Sequence, residues 1–215
     1  MVYLARTPRL VQSVFRRFIW RKRTGSNERV LHLTFDDGPV PEVTRFVLDT
    51  LAAYNAKATF FCVGDNVRKY PAIFHQLTEA GHSIGNHTFN HLNGWNTDLP
   101  TYLDNVAECA KIVRSRLFRP PYGRISPAQA LALQKNYDIV MWDVLSGDFD
   151  PNISPEQCIE NVLTYAQSGS IIVFHDNVKS VQKLRTVLPF VLRYFSARGY
   201  RFEALPMQLT LGSNA

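Results

Sequence analysis

Two carboxylates stand side by side in Leu31-His32-Leu33-Thr34-Phe35-Asp36-Asp37-Gly38-Pro39, where an apolar run gives way to a Gly-Pro turn. Adjacent carboxylates repel, and burying either one without a partner costs several kcal/mol. A pair placed where a strand meets a loop therefore points to a cation beside it, although Asp, Gly and Pro are also ordinary turn formers. A second cluster tips the balance. In Gly85-Asn86-His87-Thr88-Phe89-Asn90-His91 two histidines stand four apart, so a helical turn would project both rings from one face toward a single metal. With one aspartate added they make a two-His-one-carboxylate set, which leaves coordination positions open for water and substrate.

Three further segments carry polar groups to the ends of apolar runs. Arg119-Pro120-Pro121-Tyr122-Gly123 is a stiff loop with a fixed cation and an aromatic ring. Trp142 to Phe149 brings Asp148 to a strand end, and Ile171-Ile172-Val173-Phe174-His175-Asp176 ends a hydrophobic strand on a histidine. Taken singly, each reads as a connector or a structural residue. Together with the two clusters they would complete one site, in which a metal keeps coordination positions open for water and substrate.

The elements that must position these groups are legible from Val30 onward as an alternation of strand-like and helix-like segments. Strands are expected from Val30 to the paired aspartates and at 58–63, 83–86, 118–119, 137–144, 170–174 and 200–204, with helices at 43–54, 71–80, 101–117, 126–136, 154–166 and 181–197. This pattern predicts an α/β fold with a parallel sheet closed or nearly closed into a barrel. In such folds chemistry sits at the carboxyl ends of the strands, where Asp36, Asp37, His87, Arg119, Asp148 and His175 all fall.

The ordered set Thr34-Phe35-Asp36-Asp37-Gly38-Pro39, His87-Thr88-Phe89-Asn90-His91, Arg119-Pro120-Pro121-Tyr122, Asp148-Phe149 and Val173-Phe174-His175 resembles the five motifs of the polysaccharide deacetylases, the carbohydrate esterases related to nodulation chitooligosaccharide deacetylase. The resemblance runs from about Val30 to Ala204 and implies a single-domain, distorted (β/α)7 barrel. It implies removal of acetyl groups from N-acetylated sugars of a peptidoglycan or chitin-like glycan, with a divalent metal, zinc first and cobalt, nickel or manganese as alternatives. By position it makes Asp36 the base, Asp37, His87 and His91 the metal ligands, Arg119 the partner that tunes Asp36, and His175 the acid oriented by Asp148. Pro121, Tyr122, Phe149 and Val173 would contact substrate, with the Tyr122 backbone N–H on the oxyanion. Phe149 stands where the family usually has Trp, and Val173 where it usually has Leu; both changes bear on substrate fit. Two alternative readings use the same residues, a metal-dependent amidase on a non-sugar amide and a catalytically silent carbohydrate-binding relative.

Composition bounds the rest. The chain has 215 residues, 46% of them hydrophobic, enough for one domain with a sizeable core. Its three cysteines, Cys62, Cys109 and Cys158, show no metal-binding or redox spacing and read as buried thiols. Residues 1–30 hold eight Arg or Lys against Glu28, a net of +7 in a chain whose total is +6, so residues 31–215 sum to −1. A nucleic-acid partner is therefore not expected. Thr7-Pro8 followed by Leu10, Val11, Val14, Phe15, Phe18 and Ile19 predicts a basic helical extension over residues 1–29, packed on the domain or touching an anionic membrane through residues 7–23. Arg16 and Arg17 interrupt its apolar face, so it does not read as a signal peptide. The sequence reads as cytoplasmic, which sits uneasily with a cell-envelope substrate. No transmembrane segment is expected, residues 206–215 read as a tail, and the oligomeric state is not legible.

Overall fold

A computed structural model describes residues 4–207. The elements are α1 (Arg9–Val14), β1 (Val30–Asp36), α2 (Pro41–Ala53), β2 (Thr59–Cys62), α3 (Gly64–Lys69), α4 (Pro71–Glu79), β3 (Ser83–Asn86), α5 (Leu99–Ala110), β4 (Leu117–Phe118), α6 (Pro127–Leu133), β5 (Asp138–Ile139), β6 (Val144–Leu145), α7 (Pro155–Tyr165), β7 (Ile171–His175), α8 (Val181–Ser196) and β8 (Arg201–Phe202). The helix starts follow from the local sequence. Pro127 and Pro155 sit in the first turn, where a missing N–H costs nothing, and Ser126 and Ser154 cap the N–H groups of Gln129 and Gln157.

Seven strands lie in the order β5-β4-β3-β2-β1-β7-β6, all neighbours parallel, and β8 pairs with the beginning of β1. This is the expected distorted (β/α)7 barrel, curled and left open between β5 and β6. β1 is central and buried along its whole length, as its continuous apolar run requires. Phe35 stacks between Phe60 and Phe174, with ring centroids 5.1 and 5.8 Å away. Outside the sheet, α8 buries Leu184, Val187, Leu188, Val191, Leu192 and Phe195 at three- and four-residue spacing. Each such side chain contributes about 1.5–3 kcal/mol.

Three expectations are corrected. The single strand over 137–144 is two short strands, β5 and β6, which belong to opposite edges of the sheet. Trp142 and its neighbours turn the chain between them. A helix not anticipated, α3, follows β2 at once.

The N-terminal extension is the third correction, because it is helical over Arg9–Val14 alone and then straightens. Ile19 N–H donates to the Ile139 carbonyl, and the Ile19 carbonyl accepts from Met141 N–H, both at 2.8 Å. Lys22 N–H donates to Gly169, Thr7 N–H to Asp143, and Leu145 N–H to Ala5. The extension thus lies as a strap across the gap between β5 and β6, with Trp20 buried beneath it. Asp143, fully buried, is met there by Arg6 at 3.7 Å and Arg21 at 3.4 Å. The apolar residues at helical spacing divide between a short exposed helix and a buried strap, and backbone pairing with the sheet edges decides where the change occurs. The expected C-terminal tail falls, from residue 208 on, outside the described residues. Among the described residues no helix is long and apolar enough to cross a membrane.

Candidate active site

Strand register builds the site. Asp36 lies opposite His175 across β1 and β7, so their side chains leave the sheet together. Asn86 lies opposite Phe118 across β3 and β4, so the next residues, His87 and Arg119, emerge together. All four open into a cleft of about 610 Å³ or its floor at the carboxyl ends of the strands. A second hollow of about 430 Å³, at the opposite end of the strands around Arg45, Asp49 and Lys57, holds no metal-binding cluster among the described residues.

The two adjacent aspartates are separated by a backbone twist. Asp37 takes a left-handed conformation, φ 83°, which turns its side chain away from that of Asp36. The twist is held by Asn66, whose Nδ2 donates to the Asp37 carbonyl at 2.8 Å, and by Asp176, which accepts from Gly38 N–H at 3.0 Å. Gly38 has to be glycine: a Cβ there would lie 2.0 Å from Asp176 Oδ2.

Asp36 faces Arg119. The guanidinium, fully buried, donates from Nη1 to Asp36 Oδ1 at 2.6 Å and to Thr34 Oγ at 2.8 Å. Its Nε and Nη2 donate to the Val140 and Met141 carbonyls, and its plane sits 4.0 Å from the Phe61 ring centroid. Burial lowers the Arg119 pKa, and the Asp36 carboxylate opposes that shift without cancelling it. A fixed, buried cation of this kind holds one carboxylate oxygen and leaves the other for the cleft.

Asp37 faces the histidines. Its Oδ1 lies 3.0 Å from His91 Nε2 and 3.6 Å from His87 Nε2, and the three ligand atoms all fall within 4.8 Å of one another. His87 Nδ1 donates to the Arg119 carbonyl at 2.7 Å, so Nε2 carries the lone pair and points inward. Burial pushes the His87 pKa down to about 4, which keeps it in the neutral, ligating form. Burial would raise the Asp37 carboxyl, but contact with His91 and the charge of His175 override it and hold Asp37 well below the usual range. Asp37 Oδ1 is buried without a hydrogen-bond partner, while Oδ2 accepts from Asn177 Nδ2 at 2.6 Å. Electron-pair donors converging on one point fit a divalent cation, which would meet that oxygen and both imidazole nitrogens at once.

The expected helical turn across His87–His91 does not form. Thr88 and His91 are both left-handed, and side-chain bonds pin a loop instead. Asn86 Oδ1 accepts from Thr88 N–H, Thr88 Oγ from Leu92 N–H, and Asn105 Oδ1 from Phe89 and Asn90 N–H. Asn and Thr compete with helical backbone bonds in this way. The two rings still meet, with centroids 5.1 Å apart.

His175 is held by Asp148, whose Oδ1 lies 2.8 Å from Nδ1 and whose Oδ2 accepts the His175 backbone N–H at 2.8 Å. Ser146 donates to the same carboxylate. Burial would lower the His175 pKa, but Asp148, with Asp37 and Asp36 behind it, raises it to about 9. Phe149 stands edge-on to the His175 ring at 5.2 Å and, with Val173, lines the cleft. Tyr122 lines it too, in a left-handed conformation (φ 61°), with its hydroxyl 3.2 Å from His91 Nδ1. Pro121 is buried behind Tyr122 and does not line the cleft.

The profile of the polysaccharide deacetylases matches residues 23–142. The chain belongs to the polysaccharide deacetylase family. It is 35% identical over 187 residues to a peptidoglycan-N-acetylglucosamine deacetylase of Bacillus cereus, covering 82% of this chain and 86% of the relative. It is 32% identical to the chitooligosaccharide deacetylase of Azorhizobium caulinodans, covering 86% of this chain and 96% of the relative. The crystal structure of the Bc1960 peptidoglycan N-acetylglucosamine deacetylase superposes with a TM-score of 0.83 at 31% identity, over 93% of this chain and 95% of the other. Metal-dependent hydrolysis of the acetamide on N-acetylated sugars is the activity of the family, and the Asp37, His87 and His91 cluster is where this deacetylase can hold a metal.

Asn177, Asp176 and Thr34 are the site's unanticipated members. The first two follow a strand-end histidine directly, so the strand-end argument that singled out His175 would have reached them. Thr34 carries no such signal, since its hydroxyl meets Arg119 through the barrel interior.

Proposed function

We propose that this deacetylase removes the acetyl group from N-acetylglucosamine units of a linear glycan, peptidoglycan or chitin-like, with a zinc-like ion held by Asp37, His87 and His91. The observation that carries the reading is the convergence of Asp37 Oδ1 with two histidine nitrogens within 4.8 Å of one another, in one cleft with Asp36 and His175. A divalent ion in that position supplies Lewis-acid polarisation of the acetamide carbonyl and activation of water.

The chain's own residues supply the rest. Asp36 accepts the proton of the attacking water, and Arg119 keeps its carboxylate oriented. The Tyr122 backbone N–H donates to the oxyanion as it forms. The leaving group is an amine, which cannot depart as an anion. His175, tethered at Nδ1 by Asp148, presents Nε2 to it and gives up the proton as the carbon–nitrogen bond breaks. Phe149, Val173 and Tyr122 form the wall against which the acetylated sugar rests.

Acetate release from N-acetylglucosamine oligomers and from peptidoglycan, with zinc, cobalt, nickel or manganese added in turn, tests the activity and the metal. The His175 role is tested by leaving-group chemistry. His175→Ala slows sugar-amide hydrolysis by about 10²–10⁴-fold while sparing much of the rate on an activated aryl acetate, whose phenolate needs no proton. Equal losses on both substrates, with metal retained, would refute the assignment.

The exposed face of α1 supports a further placement. Leu10, Val14 and Phe15 are exposed beside Arg9, Arg16 and Arg17, the combination that binds an anionic lipid surface. Residues 7–23 are accordingly proposed to touch such a surface at α1 while the strap beyond stays on the barrel.

A further inference from the structure

Trp95 lies on the loop after the histidine motif, outside every role assigned above. Its ring is 65% exposed, unusual for the largest apolar side chain. The exposure is not that of a loose loop. Asn93 Oδ1 accepts from Trp95 N–H at 3.0 Å, and Thr97 Oγ donates to the Asn93 carbonyl at 2.9 Å. Buried Gln129 spans the loop, donating to the Gly94 and Thr97 carbonyls, both at 2.9 Å. Gly94 lets the loop pack this closely, since a Cβ there would lie 2.5 Å from the Arg124 carbonyl. The indole N–H donates to the Ile125 carbonyl at 3.3 Å, and the Arg124 guanidinium sits 5.1 Å from the ring centroid. One edge and one face of the ring are thus anchored, and the remainder faces solvent.

Arg124 also lines the catalytic cleft, which places the ring one side chain beyond the cleft wall. Two cleft-lining residues, Tyr122 and Val178, are themselves 57% and 71% exposed, so the rim toward solvent carries apolar surface in a polar setting. Asn96 and Asp98, beside Trp95, are exposed and polar. A protein partner calls for a contiguous apolar patch. A single fixed aromatic ring among hydrogen-bonding groups instead matches a pyranose, which offers one apolar C–H face ringed by hydroxyls.

We infer that Trp95 is a stacking platform for a second sugar ring of the same glycan chain, seated beyond Arg124 from the ring whose acetamide is cleaved. This rests on the deacetylase reading of the cleft and adds to it that the preferred substrate is an oligomer long enough to reach the platform.

The test compares kcat/KM for acetate release from the N-acetylglucosamine dimer and hexamer in the metal-loaded wild type, Trp95→Ala and Trp95→Phe. The expected result is that Trp95→Ala loses about 3- to 10-fold of the hexamer-over-dimer preference, chiefly through KM. Trp95→Phe recovers most of it, and all three proteins melt alike. An unchanged preference in a folded Trp95→Ala protein overturns the inference. A second arm titrates the hexamer into metal-depleted Trp142→Phe protein, which leaves Trp95 as the indole near the cleft, and follows its fluorescence, where the expected result is a change present there and absent when Trp95→Ala is added. If the wild type deacetylates no oligomer and no peptidoglycan, the deacetylase reading fails. The fluorescence arm still decides the platform, and no change in the Trp142→Phe protein that retains Trp95 overturns it.

Discussion

Replacing Asp148 by asparagine keeps the size of the side chain and one hydrogen bond to His175, and removes the charge. Asp148 meets His175 twice, at Nδ1 and at the backbone N–H, both at 2.8 Å. Burial pulls the His175 pKa below its ordinary 6.5, and Asp148 foremost, with Asp37 and Asp36 behind it, lifts it to about 9. That rise corresponds to about 3 kcal/mol of stabilisation of the folded state by the protonated imidazole. Because the folded-state pKa is raised, the contribution is whole below pH 6.5, fades as pH climbs toward about 9, and is gone above it. Asp176, pushed up to about 8 chiefly by burial, also makes stability fall with rising pH, between 3.8 and about 8. It does so in both proteins, so the difference between them isolates the His175 pair. For a chain of this size 3 kcal/mol is about 6–12 °C in Tm. The assay is thermal or urea unfolding of metal-depleted wild type and Asp148→Asn from about pH 6 to about pH 9.5. The variant should melt about 6–12 °C lower at the acid end and converge on the wild type at the alkaline end. A gap that stays constant with pH would refute the argument, because the carboxylate would then act through shape and neutral hydrogen bonding alone.

His87→Ala removes one of the three ligands and the ring fixed by the Arg119 carbonyl, so metal affinity should fall by more than about 100-fold and activity with it. Metal analysis of the purified variant is the check, and stoichiometric metal at wild-type affinity would remove His87 from the site. Deleting residues 1–25 strips the strap from the β5 and β6 edges, uncovers Trp20's pocket and leaves Asp143 without Arg6 and Arg21. A buried carboxylate stripped of its cations costs about 3–5 kcal/mol, so the melting temperature should drop and dye-accessible apolar surface appear. Unchanged stability would show that the strap does not close the barrel. The double variant Leu10→Ser with Phe15→Ser leaves the strap intact and should lose binding to anionic vesicles; retained binding would end the membrane proposal for α1.

The sequence by itself determined the alternation of elements, the strand ends that carry chemistry and the identity of nearly every polar group in the cleft. These are local matters: an apolar run with polar residues at its end is a strand that delivers them, whatever surrounds it. Ser126-Pro127 and Ser154-Pro155 set helix starts for the same reason. What the sequence could not decide was how neighbours divide their labour. Asp36 and Asp37 are chemically identical and adjacent. The left-handed turn at Asp37, held from Asn66 and Asp176, sends one to Arg119 and the other to the histidines. That turn depends on residues distant in the chain, so no local pattern announces it. The His87–His91 spacing likewise suggested a helix, but Asn105, on α5, caps the loop from outside. The N-terminal residues repeat at helical spacing, yet the helix stops at Val14 and the end of the repeat, Phe18 and Ile19, lies in an extended strap. The open sheet edges at β5 and β6 offer unpaired backbone groups, and satisfying those outweighs helical propensity that a short segment expresses weakly on its own. Local pattern selects the residues, and long-range backbone pairing decides which way each of them faces.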